Sequence, residues 1–467
     1  MKTIIYILTI TMVLKSSILS GQQISISKIE SELDKQIENL ISETGIPSVS
    51  IALFNNDSVV LSRAYGFSNE SLKIKATPQT IYHTGSTFKT VTATAILQLS
   101  ESGKIDLDAN VNKYLKSDSI ENVLNCDCPI TMRHLLSHQS GLKGNTEMIN
   151  LWNRKELKNL ESITKEVKQT KEPGKEFEYC NHCYAILALA LEKITDEDFT
   201  DYIMNRVLKP LQINENPFSP SPDMMEMMAI PYKLKNNKAT PENFVRFDVY
   251  PAGDAYLNPT LFAKLLIPQI NHGKYKEFSL LNEKSINEMQ SEQLQNKDYG
   301  LGLFIGSLDS HKTVSHGGTL PGFTSYFLID LKTNNGIYIM SNAGEIRQVL
   351  EELSKYAIHV MNGEKVIESL PSFMKKVAIE VSEMILQTYV GKYEVAPNVF
   401  ATITQEGNQL FVQITGQPKF DLFPYEETKF SLKVMDAQIE FIKDSDGQIN
   451  ELILYQGKNK VPGKRVD

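Results

Sequence analysis

The sequence predicts a mixed α/β fold with antiparallel strands, followed by a separate small all-β domain. Three observations carry this. VSIALF (49–54) and VVLSRAYG (59–66), joined by Asn55-Asn56-Asp57, have the form of a hairpin. Four further strand patterns, YGLGLFIG (299–306), KTVSHGG (312–318), FTSYFLID (323–330) and GIYIMSN (336–342), follow one another across short turns, which favours antiparallel pairing. From Tyr389 onward, short alternating strands are punctuated by turns at Glu406-Gly407-Asn408 and Asp444-Ser445-Asp446-Gly447.

Taken in order, the chain opens on MKTIIYILTITMVLKSSILSG, an apolar run from Thr3 to Leu14 between a lysine and small polar residues. The run is too short to span a bilayer and reads as a signal peptide over 1–21, cleaved near Ser20–Gln22. An exported protein, periplasmic or secreted, is therefore expected. An uncleaved anchor is the alternative, because Lys15 ends the run abruptly, and no later stretch is apolar for long enough to cross a membrane. Residues 28–43 pattern as an amphipathic helix. Residues 86–103 pattern as a second, with Val91, Ile96 and Leu99 on its buried side and Gly103 as its stop.

ITMRHLLSHQSGL (130–142) is expected as one compact helix ending at Gly141, with His134 and His138 four apart. No HExxH pattern accompanies them, so hydrogen-bonded structural roles are expected rather than metal binding. Residues 156–172 are charged and helical in pattern. PGKEFEYCNHCYAILALALEKIT (173–195) passes from a Pro-Gly turn through Tyr179-Cys180-Asn181 into an apolar helix. Residues 214–247 read as an aperiodic excursion near the surface, 250–273 as a glycine turn and helix, and 344–362 as a closing helix. The charged stretch 363–387, containing Pro371, reads as a linker between a domain at 28–362 and the all-β domain at 388–467.

A length of 467 residues with 41% apolar and 22% charged residues gives ample core for two or three domains. A net charge of −8 and the lack of a basic cluster exclude nucleic acid as a partner. The four cysteines form two close pairs, Cys126/Cys128 and Cys180/Cys183. In an oxidising compartment, disulfides between the two pairs are expected, tying 126–128 to the Tyr179 region. A zinc site drawing on His182 is the lesser alternative, since Cys-x-Cys is poor spacing for it. Neither metal nor cofactor is expected.

The chemistry centres on Ser86 and Lys89, which a helix places one turn apart on one face. A serine hydroxyl is a weak nucleophile until a base takes its proton, and a desolvated, neutral lysine is such a base. Ser-x-x-Lys also occurs at Ser25/Lys28, Ser140/Lys143, Ser162/Lys165 and Ser372/Lys375, in polar or linker-like surroundings. Only Ser86/Lys89 opens a long, mostly apolar helix that would bury the ammonium. The chain then supplies Tyr179-Cys180-Asn181 and His316-Gly317-Gly318 in order, with the HLLSHQSGL segment and a Pro-Ala-Gly turn. Short motifs recur by chance: Tyr-x-Asn stands also at Tyr256/Asn258, and His-x-Gly at His83/Gly85.

In order and spacing, these pieces resemble the serine β-lactamase/penicillin-binding-protein superfamily over roughly residues 35–360, closest to its class C β-lactamase, D-aminopeptidase and esterase branch. The tail at 388–467 resembles the small barrel-like domain appended to such hydrolases. The resemblance implies an antiparallel sheet flanked by helices, formed from both chain ends, with the Ser86 helix starting at the seam beside a helical region. It implies Ser86 as nucleophile, Lys89 and Tyr179 sharing proton traffic, and Asn181 orienting the substrate and Lys89. It also implies the amides of Ser86 and Thr319 as oxyanion donors on a strand that carries His316 and Gly318. Tyr179 would serve as base if nearby cations lowered its pKa, so the choice between Lys89 and Tyr179 stays open. β-Lactamases carry Lys-Thr-Gly where this chain has His316-Gly317-Gly318. A histidine is charged only part of the time near neutral pH, so efficient β-lactam hydrolysis is not expected.

The expected function is therefore an exported, metal-independent serine hydrolase of small esters, amides or peptides, including those with D-amino acids. A β-lactamase or DD-carboxypeptidase is the enzymatic alternative. A non-catalytic binder of peptidoglycan fragments is the alternative from another class.

Overall fold

The computed structural model describes residues 25–466 apart from 122–123, 125, 145, 152–157, 236, 294–297, 365–378, 380, 418, 433–436, 445 and 457–458. The expected signal peptide and most of the expected linker lie outside the described residues.

Seven strands form the main sheet: β1 (Ser48–Phe54), β2 (Val59–Asn69), β3 (Ile74–Lys75), β4 (Phe304–Leu308), β5 (His311–Leu320), β6 (Phe323–Asp330) and β7 (Asn335–Ser341). Their order is β4-β5-β6-β7-β1-β2-β3, with every pairing antiparallel. The two ends of the α/β part meet where β1 pairs with β7, Ile51 opposite Ile339. Side-chain alternation gives the sheet two buried faces. Val49, Ile51 and Leu53 pack with Leu33 and Ile37 of helix α1 (Ile26–Thr44), while Ala52 and Phe54 join the larger core on the opposite face. That core holds Val91 and Leu97 of α2 (Lys89–Glu101) and Ile186 and Leu189 of α3 (Asn181–Thr195). Helix α4 (Pro259–Leu266) lies on this side too, and Phe262 stacks on Tyr338 of β7 at 4.2 Å. Helix α5 (Arg347–Met361) covers the α1 face through Val349, Leu350 and Leu353.

The tail is a closed antiparallel barrel of eight strands, from Gly391–Ala396 to Asn459–Arg465. Its first and last strands meet at Tyr393 and Arg465, which leaves no open sheet edge. Tyr389 and Phe441 stack at its centre at 4.3 Å.

Three expectations are corrected. The segment 130–142 is helical only over Met132–Leu136, because His138 takes a left-handed backbone conformation (φ 59°) that an α-helix does not admit. The stretch 214–247 is ordered rather than aperiodic. It holds a helix at Pro222–Glu226, a hairpin of Tyr232–Lys235 with Lys238–Pro241, and a strand Val245–Phe247 paired with Met148–Asn150. The disulfides form within the cysteine pairs, Cys126–Cys128 and Cys180–Cys183, not between them. Cys180 caps α3 and Cys183 lies one turn in, so their Cα atoms are 5.4 Å apart, within disulfide reach.

Candidate active site

Ser86 sits in a 3-10 turn, Gly85–Phe88, that runs directly into α2. The turn sets Ser86 and Lys89 on one side, and Lys89 Nζ lies 3.0 Å from Ser86 Oγ. Lys89 is completely buried and donates to the Ala252 carbonyl at 2.9 Å. Rings rather than carboxylates surround it: Nζ stands 4.8 Å from the Tyr179 ring centre and 5.4 Å from that of Tyr184. Burial without an anionic partner holds the ammonium well below the ordinary lysine pKa, so the neutral amine is favoured.

Tyr179 precedes α3 and faces the cleft with 42% of its surface exposed. His138 brackets it. The Glu178 amide donates to the His138 carbonyl at 2.8 Å, the Cys180 amide donates to His138 Nδ1 at 3.1 Å, and the two rings lie 4.3 Å apart. Burial raises the Tyr179 phenol, against the lowering influence of a hydrogen bond to Ser86 and of Arg347. Asn181 begins α3. Lys89 Nζ donates its hydrogen bonds to Ser86 Oγ and the Ala252 carbonyl. The Asn181 Oδ1 is buried and has no hydrogen-bond partner among the described residues.

The third wall is the end of β5. Strand β4 pairs with β5 only as far as Ser315, so from His316 to Leu320 one edge of β5 has no paired strand among the described residues. Gly318 lies against the Ser86 turn: a Cβ there would stand 2.9 Å from the Ser86 amide nitrogen and 2.5 Å from the Thr84 carbonyl. Any larger residue would push the strand away from the serine. His316 is buried, with Nδ1 donating to the Gly317 carbonyl at 2.9 Å, which leaves Nε2 to accept from the Tyr299 hydroxyl at 3.1 Å. Burial above all presses its pKa well below the ordinary value, so His316 is a neutral residue of the wall.

A cation is nevertheless present. Arg347, at the start of α5, packs its guanidinium over Gly317, where a Cβ would come 2.6 Å from Nε. It has no ion-pair partner among the described residues. Thr319 is exposed and, with Leu320 and Ile346, lines a cavity of about 580 Å³ whose far side is Phe411, Phe420 and Phe423 of the barrel.

Sequence reasoning did not find Arg347, Tyr299, the Ala252 carbonyl or the bracketing role of His138. The Pro-Ala-Gly turn was the one available signal for Ala252. Nothing in the local pattern marked Arg347.

The chain matches the family described as Beta-lactamase over residues 33–357, and the tail matches a domain of unknown function, DUF3471, over 375–464. Among curated proteins it is similar to penicillin-binding protein 4* of Bacillus subtilis (strain 168), at 24% identity over 85% of this chain and 90% of that one. Among solved structures it resembles the octameric penicillin-binding protein homologue from Pyrococcus abyssi, with TM-score 0.60 and 22% identity over 94% of this chain and all of that one. The D-amino acid amidase of Ochrobactrum anthropi SV3 superposes with TM-score 0.59 and 19% identity over 72% of this chain and 99% of that one.

Proposed function

The chain belongs to the Beta-lactamase family and is a serine hydrolase, and from that premise we propose that it works by transient acylation of Ser86 on small esters, amides or D-amino-acid-containing peptides outside the cytoplasm. The observation that carries this reading is a fully buried lysine, with no carboxylate beside it among the described residues, 3.0 Å from a serine hydroxyl.

The neutral Lys89 amine takes the Ser86 proton as Oγ bonds to the substrate carbonyl carbon. The carbonyl oxygen gains the negative charge, and the amides of Ser86 and Thr319 are the donors we assign to it. Such a donor is typically worth about 3 kcal/mol. The tetrahedral species collapses as the leaving group departs with a proton from the Tyr179 hydroxyl, which Lys89 replenishes. Water then attacks the acyl-enzyme and gives its proton to Lys89, which returns it to Ser86 Oγ as that oxygen leaves, releasing the acid and restoring both groups. Asn181 offers its free carbonyl oxygen to a substrate amide N–H, and His316 shapes the wall without contributing charge. The name of the amidase neighbour favours D-amino acid amides as the first nitrogen substrates to try.

Arg347 favours a second reading in part. It supplies beside β5 the fixed positive charge that His316 lacks, so substrates with a free carboxylate, including DD-peptides and β-lactams, have a partner there. The two readings share one experiment: p-nitrophenyl butyrate, a D-amino acid amide and a β-lactam, each given to the wild type and to Ser86→Ala. Ester turnover lost in the variant upholds the acyl-enzyme reading. β-Lactam hydrolysis as fast as ester hydrolysis moves the assignment to the second reading, and turnover that survives in Ser86→Ala refutes both.

A further inference from the structure

His83-Thr84-Gly85, a chance-level match in the sequence, has no part in the mechanism above, yet it sits directly before the nucleophile in a buried polar network. His83 and Asp254 are 1% and 3% exposed, and His83 Nε2 lies 2.8 Å from Asp254 Oδ1. On the other side of the ring, Nδ1 accepts from the Gly85 amide at 3.3 Å. These two contacts fix the tautomer: Nδ1 must be bare to accept, so Nε2 carries the hydrogen and donates it to Asp254. Arg246 Nε stands 3.5 Å from the second oxygen, Oδ2, which orients the carboxylate.

The same segment touches the reacting pair at other points. Asp254 lies two residues after Ala252, whose carbonyl holds Lys89. The Ala255 carbonyl accepts from both the Thr84 amide (2.8 Å) and the Thr84 hydroxyl (2.9 Å). Gly253 permits this approach, since a Cβ there would stand 2.6 Å from the Gly85 carbonyl carbon. Residues 252–255 therefore meet both the turn that presents Ser86 and the amine that activates it, and the Asp254–His83 contact is the side-chain tie between them.

We infer that His83 and Asp254 are positioning residues for the nucleophile: Asp254, oriented by Arg246, holds His83 in the tautomer that accepts the Gly85 amide and so sets the Ser86 turn against Lys89. The inference rests on Ser86 being the nucleophile. A purely packing role predicts something different, because His83 also makes ring contacts, 4.3 Å to Tyr256 and 5.7 Å to Phe247.

The test separates the two ring nitrogens. His83→Asn places an amide oxygen where Nδ1 accepts but loses the reach to Asp254. His83→Gln places an amide N–H near Nε2 but has no acceptor for Gly85. Asp254→Asn turns its NH₂ toward His83, because Arg246 claims the oxygen, and forces the tautomer that opposes the Gly85 N–H. The readouts are kcat and KM for p-nitrophenyl butyrate, the rate of labelling by a fluorophosphonate, and Tm, with Ser86→Ala as the control for the nucleophile. The expected result is a fall in kcat and labelling rate of about tenfold or more in His83→Gln and Asp254→Asn, with KM within about twofold. His83→Asn should stay within about threefold of wild type. Equal losses in His83→Asn and His83→Gln, following Tm alone, would overturn the inference in favour of packing. Rates unchanged in all three variants would overturn it outright. Turnover and labelling retained in Ser86→Ala would instead refute the nucleophile reading on which it rests.

Discussion

The seam around Ser86 and the interior of the barrel are both buried, but they are filled by opposite rules. The barrel core is apolar: Leu410, Val412, Ile439, Phe441 and Leu452 fill it, and among its described residues Ser431 is the only buried polar side chain other than tyrosine. Its two central tyrosines each donate to a backbone carbonyl, Tyr389 to Glu427 and Tyr393 to Tyr389. At the seam, by contrast, Lys89, His83, His138, His316 and Asp254 are all buried. A buried polar group costs stability unless it is satisfied, so a fold keeps such groups together only where the arrangement does chemistry. The contrast separates a region built for stability from one that gives up stability for reactivity.

The largest expected effect breaks the seam. Ser86→Ala should lower ester turnover by at least about 10³-fold while leaving the barrel intact, as checked by kinetics beside circular dichroism. Lys89→Met should lose activity comparably and yet gain thermal stability, by roughly 1 kcal/mol, because a desolvated amine is replaced by an apolar chain of similar length. The sign follows from linkage. The Lys89 pKa is depressed in the folded state, so between that value and its unfolded value of 10.5 the unfolded chain binds the extra proton. This residue's contribution to stability thus rises with pH through that window and is lost as pH falls through the folded pKa. The stabilising effect of Lys89→Met in calorimetry should accordingly be largest on the acid side. The same depressed pKa places the rising limb of kcat/KM against pH well below the ordinary lysine range.

The counterpart break lies in the barrel. Phe441→Ala removes the ring that stacks on Tyr389 and meets Phe430 edge-on at 5.5 Å. It should cost about 3–5 kcal/mol of barrel stability by chemical denaturation, while kcat for a short ester stays within about twofold below the barrel's transition. Gly318→Ala should cost about 10²-fold in kcat through its clash with the Ser86 amide, with little change in Tm. The smallest effect sharpens the substrate assignment: Arg347→Ala should raise KM about tenfold for substrates with a carboxylate and leave neutral esters unaffected.

What was legible in the sequence divides along the same line. The pair Ser86/Lys89 is a local spacing, and a helix converts three residues of separation into one shared face, so it could be read directly. The short runs of strand-forming residues in β1 and β6, bounded by turns, encode a sheet in the same local way. Tyr179 and His316 could be read only from the order of motifs, since contacts nearly a hundred residues and more apart leave no periodic trace. Arg347 was hidden because an arginine at a helix start looks like a solvated residue until the strand beside it is known. The Ala252 carbonyl was hidden because backbone acceptors have no residue signature. The disulfide expectation failed because compartment chemistry says that cysteines pair, whereas the turn opening α3 decides which ones meet. The His83 motif looked incidental until Asp254, 171 positions away, closed the network.

The most direct test of Ser86 as the acylated residue is mass spectrometry of the wild type, quenched during steady-state turnover of p-nitrophenyl butyrate and digested to peptides. The account predicts one butyryl group on the peptide containing Ser86, present during turnover and absent from Ser86→Ala. Steady turnover with no adduct on that peptide at any pH, or with the adduct on another residue, would contradict it.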